Sequence, residues 1–185
     1  MELKLGKLEA KPDTRTLMLA HYMKDIYVPP AWNFDDGRLA FPLSTLGNDM
    51  WGNCVIVGRA NNILRFERFE RRQTPRITAN DAVEEYRAEC LRQFGHAPEH
   101  PGDRWDNGLY VLDALKNWRR YGWNVYLGLR EREKHAHKIN AFGALSPNNL
   151  TQLRQGIFFL NGIQLGLTLP VSAFQQLVNG EAWDT

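Results

Sequence analysis

The hydrophobic period of this chain changes at Gly122, and that change limits the fold more than any other feature of the sequence. Before it, apolar residues recur at helical spacing. From Cys54 to about Arg72 the pattern places Ile56, Ala60, Ile63, Leu64 and Phe66 on one side, which predicts a helix starting at the cysteine. Thr78 followed by Asp81 reads as a capping box for a second helix through about Phe94, with Val83, Tyr86, Cys90 and Leu91 on one stripe and Gly95 as its stop. Residues 108–121 repeat Leu109, Leu112, Leu115 and Trp118 and predict a third helix. After Gly122, residues 123–129, 138–145 and 162–169 alternate as strands do, and Ser146-Pro147-Asn148 can cap a short helix through about Leu160. Helices first and strands later predict an α+β fold.

The N-terminal fifty residues have no sustained period and many turn signals, including Pro12, Pro29-Pro30, Asp36-Gly37 and Pro42. They read as an extended arm wrapped on the core. Three regions follow from this: an arm at 1–50, a helical lobe at 51–122 and a β lobe at 123–185, together forming a single compact unit. At 185 residues and 43% apolar content the chain can build an ordinary globular core. A formal charge of +2 is far below the surplus expected of a nucleic-acid-binding protein, so no nucleic acid partner is expected. No leader and no span of membrane length is visible, which predicts a soluble cytoplasmic protein. Two cysteines, Cys54 and Cys90, are too few for a disulfide framework, and Cys90 fits a core position.

Chemistry concentrates in Leu46-Gly47-Asn48-Asp49-Met50-Trp51-Gly52-Asn53-Cys54, which sets a thiol on the first turn of a helix after a glycine-bearing loop. Unpaired N–H groups and the helix dipole at that end favour a thiolate, the form that attacks carbonyl carbon. The Cys54 N–H and an upstream amide, Asn48, can donate to the oxyanion formed by such an attack. The same pattern also suits a buried structural cysteine.

This stretch resembles the papain-like cysteine peptidases, in which an amide residue lies six positions before the nucleophilic cysteine and a glycine two positions before it. Asn48, Gly52 and Cys54 reproduce that spacing, with asparagine where the family has glutamine. The wording Leu-Gly-Asn-Asp followed by Gly-Asn-Cys is similar to papain-like proteins encoded by phages and bacteria, which typically read Gly-Asp-Cys. Asp106-Asn107-Gly108 leading to Tyr121-Gly122, the segment from Leu150 to Leu169, and Phe174 resemble further family segments, so the likeness covers most of residues 40–180. It implies a two-lobe architecture with an antiparallel β lobe after the helical one. It also implies Cys54 as nucleophile, Asn48 as an oxyanion donor, a peptide or protein substrate and no cofactor.

The family's catalytic histidine follows the region matched by Phe174, and the sequence ends at Asp184-Thr185 before it. Two readings follow: a thiol hydrolase, or its N-terminal fragment, whose base lies outside this sequence; and an inactive papain-fold structural or accessory protein, such as a phage virion component, that binds a protein partner in an assembly. Of the five histidines, His21, His96 and His100 read as solvated, and His137 is the internal candidate for the base, one strand earlier than the family's order places it. His135 and His137 lack the companions a zinc site needs, so no metal is expected. The Arg and Glu alternation from Arg65 to Arg72 reads as a solvated face, and Trp51 as a wall of a substrate cleft.

Overall fold

The computed structural model describes residues 7–23, 26–30, 44–126, 133–146, 148–160, 163–167 and 170–179. Helices α1 (Cys54–Phe69), α2 (Ala79–Phe94) and α3 (Val111–Tyr121) are followed by strands β1 (Trp123–Val125) and β2 (His135–His137), then by α4 (Leu150–Leu160) and α5 (Val171–Asn179). The fold is therefore α+β in the general sense, mainly helical with a small two-stranded sheet. β1 and β2 pair antiparallel, with Trp123 opposite His137 and Val125 opposite His135.

The core lies among α1, α2, α3 and β1. Ile56, Ala60 and Ile63 of α1 meet Ala82, Tyr86 and Cys90 of α2, with Ala114 and Trp118 of α3 and Trp123 of β1 closing the cluster. α2 begins where the sequence signals it: the Thr78 hydroxyl accepts the Asp81 N–H at 3.2 Å and the Asp81 carboxylate accepts the Thr78 N–H at 2.9 Å. It ends at Gly95, whose φ of +77° is the left-handed conformation that stops a helix without a Cβ penalty.

Two apolar residues assigned to buried stripes are solvent-facing, Phe66 at 39% exposure and Leu91 at 55%. Their places inside are taken by charge: Arg59, Glu67, Glu85 and Glu89 are all buried. Arg59 donates to Glu85 at 3.2 Å and to the Ala114 carbonyl at 2.7 Å, while Arg92 bridges Glu85 and Glu89 at 3.1 and 3.0 Å. Asn117 of α3 donates to Glu89 at 2.7 Å, so one polar network ties the three helices together. Glu67 shows that the run from Arg65 to Arg72 is not wholly a solvated face.

The β half departs further from the sequence reading. The strand expected over 138–145 lies instead at His135–His137, because Gly122, at φ +78°, turns β1 against His137 and leaves no room for a side chain: a Cβ there would lie 2.8 Å from Lys138 Cγ. Residues 138–145 instead meet the arm, where Ala144 N–H donates to the Leu17 carbonyl and Leu19 N–H to the Ala144 carbonyl, at 2.7 and 2.9 Å. Residues 163–167 form no strand, since their neighbour is α1 rather than a sheet edge. α4 starts at Leu150, with the Asn149 side chain accepting the Gln152 N–H at 3.0 Å, later than the cap expected at Ser146. α5 was not expected at all; Phe174 lies within it. Residues 127–129, 162 and 168–169 of the strands expected over 123–129 and 162–169 lie outside the described residues.

Candidate functional site

Cys54 is the first residue of α1 and is half-buried. The approach to it is fixed by a carboxylate from a distant loop. Asp106, itself buried, accepts the Gly52 N–H at 2.8 Å and the Tyr86 hydroxyl at 2.9 Å through Oδ1, and the Gly102 N–H at 3.1 Å through Oδ2. The Tyr86 oxygen in turn accepts the Gly108 N–H at 3.1 Å. Burial, reinforced by the Asp106 carboxylate, holds the Tyr86 phenol protonated, well above the ordinary range. A Cβ at position 52 would stand 2.9 Å from Asp106 Oδ1 and 3.3 Å from the Gly108 nitrogen, so the glycine two positions before the cysteine is required by this clamp.

The residue between them does not cap the helix with its side chain. Asn53 occupies the N-cap position, yet its side chain makes no capping bond. Its Nδ2 donates instead to the Leu46 carbonyl at 3.1 Å, across a turn in which Leu46 and Gly47 both take positive φ. The Asn53 carbonyl accepts the N–H groups of Ile56 and Val57, so those of Cys54 and Val55 precede the first intrahelical bond, on the turn that carries the thiol.

Cys54 opens on a cleft of about 280 Å³ formed by the arm, the first turns of α1, the start of α3 and residues 163–165. Lys7 supplies the one charged side chain among the described residues of its lining, Val111 and Ile163 supply apolar walls, and Asn62 and Gln164 supply amides. Gln164 is anchored by donating to the Val55 carbonyl at 3.0 Å. Lys7 is brought there by pairing of the arm with the start of α3, where Leu8 N–H donates to the Leu109 carbonyl at 3.0 Å. A cleft with a thiol at a helix N-terminus, amide donors and one cation is suited to holding a polar carbonyl compound beside a nucleophile.

The structure does not bring every expected residue to this cleft. Asn48 is half-buried in the preceding turn, its N–H donating to the Thr45 carbonyl at 2.8 Å, and it does not line the cleft. Its Oδ1 finds no hydrogen-bond partner among the described residues. Trp51 belongs to the core, edge-on to Tyr86 at 6.4 Å, and is not a cleft wall. His137 Nε2 lies 3.1 Å from Glu67, whose carboxylate also meets Arg71 at 3.4 Å. Glu67 is thirteen residues beyond Cys54, which is about 20 Å along the helix axis. His137 is further held by Trp118, whose ring stacks on it at 5.8 Å and whose Nε1–H donates to its carbonyl at 3.0 Å. His96, read as solvated, is half-buried, its ring stacked on Phe94 and 3.8 Å between centroids from Trp105. No histidine lines the cleft among the described residues.

Gln164 and Lys7 line the cleft without being singled out by the sequence. The signal for Gln164 was a polar side chain between Ile163 and Leu165 in a segment read as strand; Lys7 carried none, because only the fold brings the arm to α1. Among the described residues no three His, Cys, Asp or Glu side chains converge in a way that would hold a metal ion, and no helix is long and apolar enough to cross a membrane. Comparison with protein-family models, with curated proteins and with solved structures finds no match for this chain.

Proposed function

We propose that Cys54 is the nucleophile of a papain-like thiol hydrolase, a cysteine peptidase in class, acting on a peptide or protein carbonyl in the cleft beside it. The observation that carries this reading is the half-buried thiol on the first turn of α1, lining a cleft with amide donors. In this scheme the thiolate adds to the carbonyl carbon, and the N–H groups of the first turn receive the charge that develops on oxygen. The Asp106 clamp holds the Gly52 backbone and with it the direction of that turn. The base that accepts the thiol proton and returns it to the leaving amine is a residue other than His137, which is committed to Glu67 at the far end of α1.

That commitment of His137 also favours a second reading, in which the papain-like scaffold is kept without turnover and the chain serves as a structural or accessory protein, a virion component if phage-encoded. Hydrolysis of a mixed peptide library by the purified chain, compared with Cys54→Ala and His137→Ala, separates the two. Loss of hydrolysis in Cys54→Ala with retention in His137→Ala supports the hydrolase. No hydrolysis by any of the three, with Cys54 alkylated no faster than Cys90, favours the scaffold, since a hydrolase whose base lies outside this sequence would be silent here but keep a reactive Cys54; loss in both variants contradicts the exclusion of His137.

A further inference from the structure

A second cleft, of about 620 Å³, lies between the arm and the C-terminal end of α3. Three chain segments build it. Asp13 and Thr16 close a turn in the arm, with Thr16 N–H donating to the Asp13 carbonyl at 2.9 Å. Bonds between Leu17, Leu19 and Ala144 hold the arm beside Phe142, and α3 contributes Lys116, Arg119 and Arg120.

Its lining is cationic. Asp13, the one acid among the described residues of its lining, is bound bidentately by Arg15, from Nε at 3.0 Å and Nη2 at 2.9 Å, and by Lys116 at 2.8 Å. Those bonds hold the Asp13 carboxyl far below the ordinary carboxylate range, so it stays charged and fully occupied. Arg119 and Arg120 are exposed and have no ion-pair partner among the described residues. Cations in a last helical turn complement the helix dipole, but the dipole amounts to about half a charge, less than either arginine alone supplies. Placed in a concavity, cations focus the local potential on whatever anion enters.

We infer that this cleft binds a small phosphate-bearing molecule, with Arg119 and Arg120 donating to phosphate oxygens and the half-buried Phe142 facing the rest of the ligand. Planar guanidinium groups match phosphate oxygens two at a time, and the volume falls in the range of small-molecule sites. The site is separate from the Cys54 cleft and independent of the function proposed for it, sharing no lining residue with it among those described.

The test is calorimetric titration of the full chain with inorganic pyrophosphate, with ADP and with a short single-stranded DNA. It is run on wild type, on R119Q/R120Q and on the charge-matched control R87Q/R104Q, with circular dichroism verifying the fold of each. Saturable binding of pyrophosphate or ADP is expected, weakened roughly tenfold or more in R119Q/R120Q and little changed in the control. Tighter binding of ADP than of pyrophosphate identifies an organic phosphate and a role for Phe142, and the reverse order identifies an inorganic one. Absence of saturable binding to both, or equal weakening in the control, would overturn the proposal. So would DNA binding tighter than ADP and sensitive to R119Q/R120Q, which assigns the surface to nucleic acid.

Discussion

Asp106 Oδ1 accepts the Gly52 N–H at 2.8 Å, two residues before the Cys54 thiol, and the same oxygen accepts the Tyr86 hydroxyl. One buried carboxylate thus joins α2, the 102–108 loop and the entry to α1, and the geometry of the cysteine depends on it. Asp106→Ala leaves the buried Gly52 N–H and Tyr86 hydroxyl without their acceptor, and unsatisfied buried donors each cost about 1–3 kcal/mol, while the N–H of the exposed Gly102 can turn to water. Chemical denaturation should show a loss of several kcal/mol in total. Gly52→Ala, which would press a methyl to within 2.9 Å of that oxygen, should also destabilise, and should slow alkylation of Cys54 under native conditions.

Arg59 is the residue whose loss should be felt most among the charged groups of α1. Burial pushes its pKa down and that of Glu85 up; Glu85 and Glu89 keep Arg59 charged, and Arg59 and Arg92 keep Glu85 charged. Arg59→Met removes one partner of a buried pair and strands Glu85 with Arg92 alone, so a destabilisation of about 3 kcal/mol is expected. The double variant Arg59→Met with Glu85→Leu should recover part of that loss, a non-additivity readable by urea titration.

How far the sequence reached depends on the range of the interaction involved. The starts of α1 and α2 were legible because their determinants lie within a few residues: the glycine loop before Cys54, and Thr78 with Asp81. The buried charges at Arg59, Glu67, Glu85 and Glu89 were not, because a charged side chain is stable inside only when partners arrive from other helices, and periodicity does not register those partners. Alternation over 138–145 was read as a strand, but alternating polarity also suits a chain lying half-buried against an arm. α5 was hidden by the expectation of a strand before Phe174. At the candidate site, the place of Cys54 at a helix start follows from local signals, whereas Gln164 and Lys7 enter through contacts more than forty residues away in sequence.

His137 makes stability depend on pH. Burial, with Arg71 adding to it, lowers its pKa below the ordinary 6.5, and the nearby Glu67 only partly offsets this. The unfolded chain therefore takes up a proton here at higher pH than the folded one does. Stability from this group is fully present above about pH 6.5 and declines as the pH falls below it toward the folded value. The midpoint of urea unfolding, followed from pH 8 down to about pH 5, should fall in wild type and fall less in His137→Gln.

The central claim is that Cys54 is the accessible, reactive thiol, held at a helix N-terminus on an open cleft, and that Cys90 is structural. Cys90 is fully enclosed, and burial pushes its thiol up to about 12. The direct measurement is timed alkylation of the native protein with iodoacetamide near neutral pH, quenched at intervals, with mass mapping of both cysteines. Cys54 should label at least roughly tenfold faster than Cys90, with the difference collapsing in denaturant. Equal rates in the native state, or faster labelling of Cys90, would contradict the account.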